Sequence, residues 1–237
     1  IASIRQERRS TLISLPPRAV RTLMGVAAGI GLAALAACSS PPTRFYTLGA
    51  GDSIEHAPSV ANANLRIDTL AVRVPAPVAG SRLVVQVSPS QVALLEDDRW
   101  ASSLSDEIRG ALSAQVAGQS NTVDVHGIPH SDDVPVYRIA VDVQRFESWQ
   151  GSHVLIDAVW SVRPAQSQQA LICRAVIRKD VSLGNNAMVD GHRRALKDIA
   201  SQIVAGIRSV ASAPVASCPA SADADRIVRG QPSDSHN

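Results

Sequence analysis

Tyr137-Arg138-Ile139-Ala140-Val141-Asp142-Val143 alternates large apolar residues with Arg138, Ala140 and Asp142. A side-chain period of two places Tyr137, Ile139, Val141 and Val143 on one buried face and leaves the other mostly polar, as in an antiparallel sheet. The pattern repeats downstream. Val154, Ile156, Ala158, Trp160 and Val162 alternate with Leu155, Asp157, Val159, Ser161 and Arg163, and a third run over 170–180 is apolar at Leu171, Cys173, Ala175 and Ile177. Gly151-Ser152 and residues 164–169 are the connecting turns, so the three runs read as a meander.

Two amphipathic helices flank the meander. Over 99–119, Trp100, Leu104, Ile108, Leu112 and Val116 recur every four residues as one stripe, with Arg99, Ser103, Glu107 and Gln115 off it. Glu96-Asp97-Asp98 precede this helix, where acidic groups suit the free N–H groups of its first turn, and Gly118 is the stop signal. Over 190–211, Leu196, Ile199, Ile203, Ile207 and Val210 form the second stripe. Shorter strands are expected over 65–74, 83–87, 92–95 and 123–125. The expected fold is a two-layer α+β domain over 44–211, a mostly antiparallel sheet with two helices packed on it. Residues 212–237, rich in Ala, Ser, Pro and Asp, read as a disordered tail.

Upstream, the uncharged run 23–37 follows Arg18 and Arg21 and ends Leu35-Ala36-Ala37-Cys38. It is short for a bilayer span, which needs about 20 residues, and fits a secretory signal core. Small residues followed by Cys read as a lipoprotein box. Residues 1–37 are then a leader, with Val20 an alternative start, and Cys38 is acylated as the first mature residue. Ser39 rather than Asp favours the outer membrane. Residues 38–43, with Pro41-Pro42, form a tether of at most about 20 Å.

Residues 1–37 carry five Arg and one Glu, so the net charge of +2 for the whole chain becomes −2 for the remaining 200 residues. A basic face for nucleic acid is therefore not expected. With Cys38 assigned to lipid, Cys173 and Cys218 remain. An oxidising compartment would allow a bridge stapling the tail to the sheet, and the sequence leaves that pairing open.

The catalytic search is nearly empty. No Gly-x-Ser-x-Gly elbow or phosphate-cradling loop is present. His126 and His130 share a loop with Asp132-Asp133, which reads as solvated rather than as a metal site. Asp142 and Asp157 read as solvent-face carboxylates on neighbouring strands, and Ser102, Ser103 and Ser105 have no base in register. No catalytic residue, metal or cofactor is expected beyond the covalent lipid on Cys38. Trp100 and Trp160 read as core. Trp149, beside a turn, is a candidate exposed aromatic contact for a membrane or partner.

These features resemble the ABC-type transport auxiliary lipoproteins, which include the paraquat-inducible C lipoprotein. The matching residues are Cys38-Ser39-Ser40-Pro41-Pro42 with Phe45-Tyr46-Thr47-Leu48, then Arg99-Trp100 with Leu104, then Tyr137 to Val143 with Phe146. Val159-Trp160 and the helix from Ala195-Leu196 through Ile199-Ala200 to Ile207 complete the match. One departure is Ala79-Gly80-Ser81-Arg82-Leu83-Val84, where the family often has tyrosine-leucine and aspartate-arginine-proline. The resemblance implies a non-catalytic, periplasm-facing outer-membrane lipoprotein. It would work with an MCE-domain protein and its permease in lipid movement between membranes, and a homo-oligomer is left open. The alternatives are an envelope-structural or assembly lipoprotein unrelated to transport, and a periplasmic hydrolase.

Overall fold

Among the described residues, seven strands form two sheets, of three and four strands, and two α-helices pack on the larger one. The computed structural model describes residues 42–49, 64–131, 133–212 and 215–219. The expected leader, Cys38 with its expected acylation, most of the expected tether and residues 220–237 of the expected tail lie outside the described residues.

The larger sheet is built on the meander. Strands β5 (Val136–Trp149), β6 (His153–Pro164) and β7 (Leu171–Asp180) pair antiparallel, with Val141 opposite Trp160 and Trp160 opposite Cys173. Strand β2 (Arg66–Thr69) joins the β5 edge in parallel. It is shorter than the 65–74 expected. Past Thr69 the Leu70 N–H still bonds the Ile139 carbonyl, and the pairing then slips by one residue, from Ile67 beside Tyr137 to Arg73 beside Asp142.

The smaller sheet has the order β1-β4-β3, from β1 (Arg44–Tyr46), β3 (Arg82–Ser88) and β4 (Gln91–Trp100). Here the sequence expectation needs correcting. The acidic run Glu96-Asp97-Asp98 and Trp100 belong to a ten-residue strand, not to a helix start. Local composition disfavours a strand there, but long-range pairing overrides it, because β1 lies parallel on β4 and β3 antiparallel on its other side.

Helix α1 (Leu104–Ser120) therefore starts five residues later than expected. Ser103 is its N-cap, accepting the Asp106 N–H at 3.3 Å, and Asp106 and Glu107 occupy the first turn. Gly118 lies inside the helix. The stop is Asn121, which takes a left-handed conformation (φ 48°) that Asn tolerates better than most residues.

Helix α2 (Asn185–Ser212) begins earlier than the 190 expected. Gly184 turns the chain at φ 105°, and the Met188 N–H donates to its carbonyl. The extra turn buries Met188 and Val189. Both helices pack on one face of the larger sheet. Trp160 is fully buried beneath α2, and a Cβ on Gly206 would lie 2.8 Å from its ring. The stripes Leu104, Ile108, Leu112, Val116 and Leu196, Ile199, Ile203, Ile207 meet in the same core.

Candidate functional site

The residues around the point where the chain enters its body form the most constrained polar cluster of the structure. Arg44 and Tyr46 flank Phe45 on β1, and period two turns both toward Asp98 on β4. Arg44 grips the Asp98 carboxylate in a fork, Nε to Oδ1 at 2.8 Å and Nη2 to Oδ2 at 2.9 Å, while the Tyr46 hydroxyl donates to Oδ1 at 3.0 Å. Asp98 is 5% exposed. Burial opposes its ionisation, but the bonds from Arg44 and Tyr46 outweigh that and hold its carboxyl below the ordinary range.

Nine residues after Asp98, Glu107 closes the junction. The Thr47 hydroxyl and the Leu48 N–H donate to its Oε2 at 2.7 and 2.8 Å. The Ser102 hydroxyl and N–H donate to its Oε1 at 2.8 and 3.0 Å. One carboxylate on the first turn of α1 thus satisfies both the incoming strand and the loop before the helix. Burial works against the charge, yet the four donors keep the Glu107 carboxyl below its usual value. Arg193 of α2 adds a bond from Nη2 to the Thr47 carbonyl at 2.8 Å. Sequence periodicity placed Glu107 off the core stripe, but the structure buries it. Its partners Thr47 and Leu48 lie 60 and 59 residues away, so no local pattern signals it.

At the other end of the body, Cys173 and Cys218 form a disulfide. Cys173 faces the helices beside Trp160, and the chain returns to it after α2. The segment 215–219, read from sequence as tail, is fastened to β7 by this bond. Trp149 is half-buried rather than free. Its indole N–H donates to Glu147 at 3.1 Å and its ring stacks on His153 with centroids 5.7 Å apart.

The carboxylates on the open face of the larger sheet are kept apart by their own cations. Asp142 pairs with Arg73, and Asp157 takes a two-bond fork from Arg174 at 2.9 and 2.7 Å. The solvent-face expectation fails for Asp157, which is 2% exposed because the Arg174 side chain covers it. That hydrogen-bonded guanidinium holds the Asp157 carboxyl below the usual range, against burial. His126 pairs with Asp68, and His130 bonds the Ile128 carbonyl. Among the described residues no three His, Cys, Asp or Glu side chains meet as a metal site.

Among the described residues two Ser–His contacts occur: Ser152 Oγ lies 2.9 Å from Nδ1 of the adjacent His153 at the exposed β5–β6 turn, and the other is buried. His192 Nε2 lies 2.8 Å from the Ser148 hydroxyl, its ring stacked on Phe146 at 3.9 Å. Both residues are buried, and burial pushes the His192 imidazole down to about 3. A substrate has no route to the pair, so it serves the core. Periodicity gave no sign of it, because His192 sits among Arg and Asp on the sequence.

The family model of the ABC-type transport auxiliary lipoprotein component matches residues 46–204. The chain belongs to this family. Its matched region starts inside β1 and contains Tyr46, Thr47, Asp98, Glu107, Ser148 and His192, while Arg44 lies two residues before it. A search of curated proteins finds no match. Among solved structures, an uncharacterized protein superposes with a TM-score of 0.56 at 20% identity, covering 70% of this chain and 99% of its own. A Xanthomonas campestris protein of the DUF330 family is more distant, at TM-score 0.46 and 15% identity over 69% of this chain and 84% of its own. The first likeness shows that the fold is shared. In this auxiliary lipoprotein, no helix among the described residues is long and apolar enough to cross a membrane.

Proposed function

We propose that this auxiliary lipoprotein is acylated on Cys38 and held on the periplasmic face of the outer membrane. There it is a non-catalytic docking component of an MCE-type lipid transport system. The observation that carries the reading is the family match over 46–204. The junction geometry supports it. A tether to a lipid anchor must pass its load into the fold, and β1 is fixed within the first few residues by Asp98 and Glu107. The buried Ser148–His192 pair and the separately neutralised carboxylates favour a body that binds rather than one that turns over a substrate. Residues 79–84 depart from the family pattern and end within β3, so a partner that touches this segment would meet a different surface from that of the family's other members.

Changing Cys38→Ser tests the anchor. The expected result is loss of the protein from the outer-membrane fraction, and cleavage of the leader with normal membrane retention would overturn the reading. Copurification from detergent-solubilised envelopes tests the partnership. An MCE-domain protein is expected with the wild type. A deletion strain with normal lipid distribution but altered cell wall or porin levels would favour the envelope-structural role instead.

A further inference from the structure

Three connections converge at one end of the body. Val85 and Ala93 of the β3–β4 hairpin pack with Val154, which follows the β5–β6 turn, with Val181 after β7, and with Met188 at the start of α2. Leu183 leans on the β5–β6 turn, close enough that a Cβ on Gly151 would lie 2.7 Å from it. Around this second small core the aliphatic side chains are left in the open. Val87 is 57% exposed, Val92 41%, Leu94 47% and Leu183 80%. Ala93 and Leu95 face inward, so Val92 and Leu94 point away from the body. Trp149 sits at the same turn with its N–H satisfied by Glu147, an apolar ring with a wet edge that suits a lipid–water boundary. Nearby charges are paired, Arg145 with Glu147 and Arg178 with Asp180.

The chain enters β1 from the side of this end. Strand β1 is parallel to β4, with Arg44 beside Asp98. Cys38 precedes Arg44 by six residues, and Val92 precedes Asp98 by six. A chain continued in that register reaches the level of Val92, and no conformation takes it further than about 20 Å from Arg44.

We infer that the β3–β4 hairpin tip and the adjoining Leu183 and Trp149 form a membrane-contact surface that rests on the bilayer holding Cys38. The inference rests on the acylation of Cys38. Lipid is the occupant because the covalent anchor brings the bilayer within reach of the aliphatic side chains that flank the hairpin turn. Contact is end-on: Phe45, though 67% exposed, lies beside Arg99, seven residues along β4 from Val92 and so about 20 Å away.

The acylated full chain in vesicles of phosphatidylethanolamine and phosphatidylglycerol tests this. With Cys38 acylated and Cys173 bonded to Cys218, Leu94→Cys, Leu183→Cys, Phe45→Cys and Val176→Cys each supply a single labelling site for an environment-sensitive fluorophore. Labels at positions 94 and 183 are expected to shift to the blue and lose most of their emission when the acyl chains carry nitroxide quenchers. Labels at 45 and 176 are expected to stay in water. Vesicle flotation without quenching at 94 and 183 overturns the inference and leaves the anchor intact. Quenching at 45 or 176 overturns end-on contact. A chain that does not float overturns the acylation reading, and the inference falls with it. Circular dichroism of each labelled variant confirms that the fold is retained.

Discussion

Where the chain enters its body, Thr47 and Leu48 are held by hydrogen bonds to the buried Glu107 carboxylate; where it leaves, Cys218 is held by a covalent bond to Cys173. The two fastenings differ in what they depend on. The carboxylate clamp exists only in the folded state and only while Glu107 is ionised. The disulfide persists in the unfolded chain and depends on redox state alone. The clamp therefore stabilises by satisfying groups in the native structure, and the bridge acts mainly by restricting the unfolded ensemble. The end proposed to bear the lipid tether is thus the one whose strength is written into native packing.

The largest effect is expected from Glu107→Ala. It strands the buried Leu48 N–H, removes the acceptor of the part-buried Ser102 N–H and empties the space between β1 and α1. Removing a buried charged acceptor with several donors costs about 3–5 kcal/mol. Urea denaturation would read this as a lowered midpoint, with limited proteolysis reporting early release of residues 42–49. Glu107→Gln keeps the shape and part of the bonding and should lose less. A loss under about 1 kcal/mol for Glu107→Ala would mean that the clamp is incidental and the comparison fails.

Breaking the other fastening should cost less. Cys218→Ser, or reduction of the wild type, opens a loop of sequence separation 45, for which about 2–4 kcal/mol is expected. Because β7 and α2 are packed independently of the bridge, the body should remain folded. The melting temperature should fall in reductant for the wild type and not for the variant. Reductant should leave the protease resistance of residues 42–49 unchanged, which separates the two ends.

These fastenings were unequally legible in the sequence. The meander announced itself through period-two alternation, and both helix stripes through their spacing of three or four residues, because those patterns are local. Cys173 and Cys218 could be proposed as partners because few cysteines were left to choose from. Glu107 could not, because its donors Thr47 and Leu48 come from a segment that only the tertiary fold brings to it. The same reason explains β4. Glu96-Asp97-Asp98 reads as a helix start until β1 arrives, with Arg44 and Tyr46, to make Asp98 a strand residue. His192 and Asp157 were likewise invisible, each buried by a neighbour distant in sequence.

Acid separates the two fastenings without mutation. The His192 imidazole titrates at about 3 in the fold against an ordinary 6.5, so the unfolded chain binds its proton first. Stability present above pH 6.5 is lost as pH falls from 6.5 toward 3, at up to about 1.4 kcal/mol per pH unit, or roughly 2 kcal/mol by pH 5. Asp98 and Glu107, whose values are depressed, act in a lower window. Their contribution is present above the ordinary carboxylate range and disappears as pH falls through their folded values. The disulfide contributes across the whole range. His192→Gln, which can still bond Ser148, should flatten the denaturation midpoint between pH 6.5 and 5. An unchanged slope would show that the histidine is not the group responsible.

The smallest effect tests how far the clamp extends. Arg193 reaches from α2 to the Thr47 carbonyl and also pairs with Asp190 at 2.9 Å, with over a third of its side chain in solvent. An exposed ion pair adds little, and solvent can replace the lost donor, so Arg193→Ala should cost only about 0.5–1 kcal/mol. In a double-mutant cycle with Glu107→Ala the two losses should not add, because once Thr47 is released the Arg193 bond has no fixed acceptor. Full additivity would mean that α2 holds the entering strand independently, and the junction would then be two fastenings rather than one.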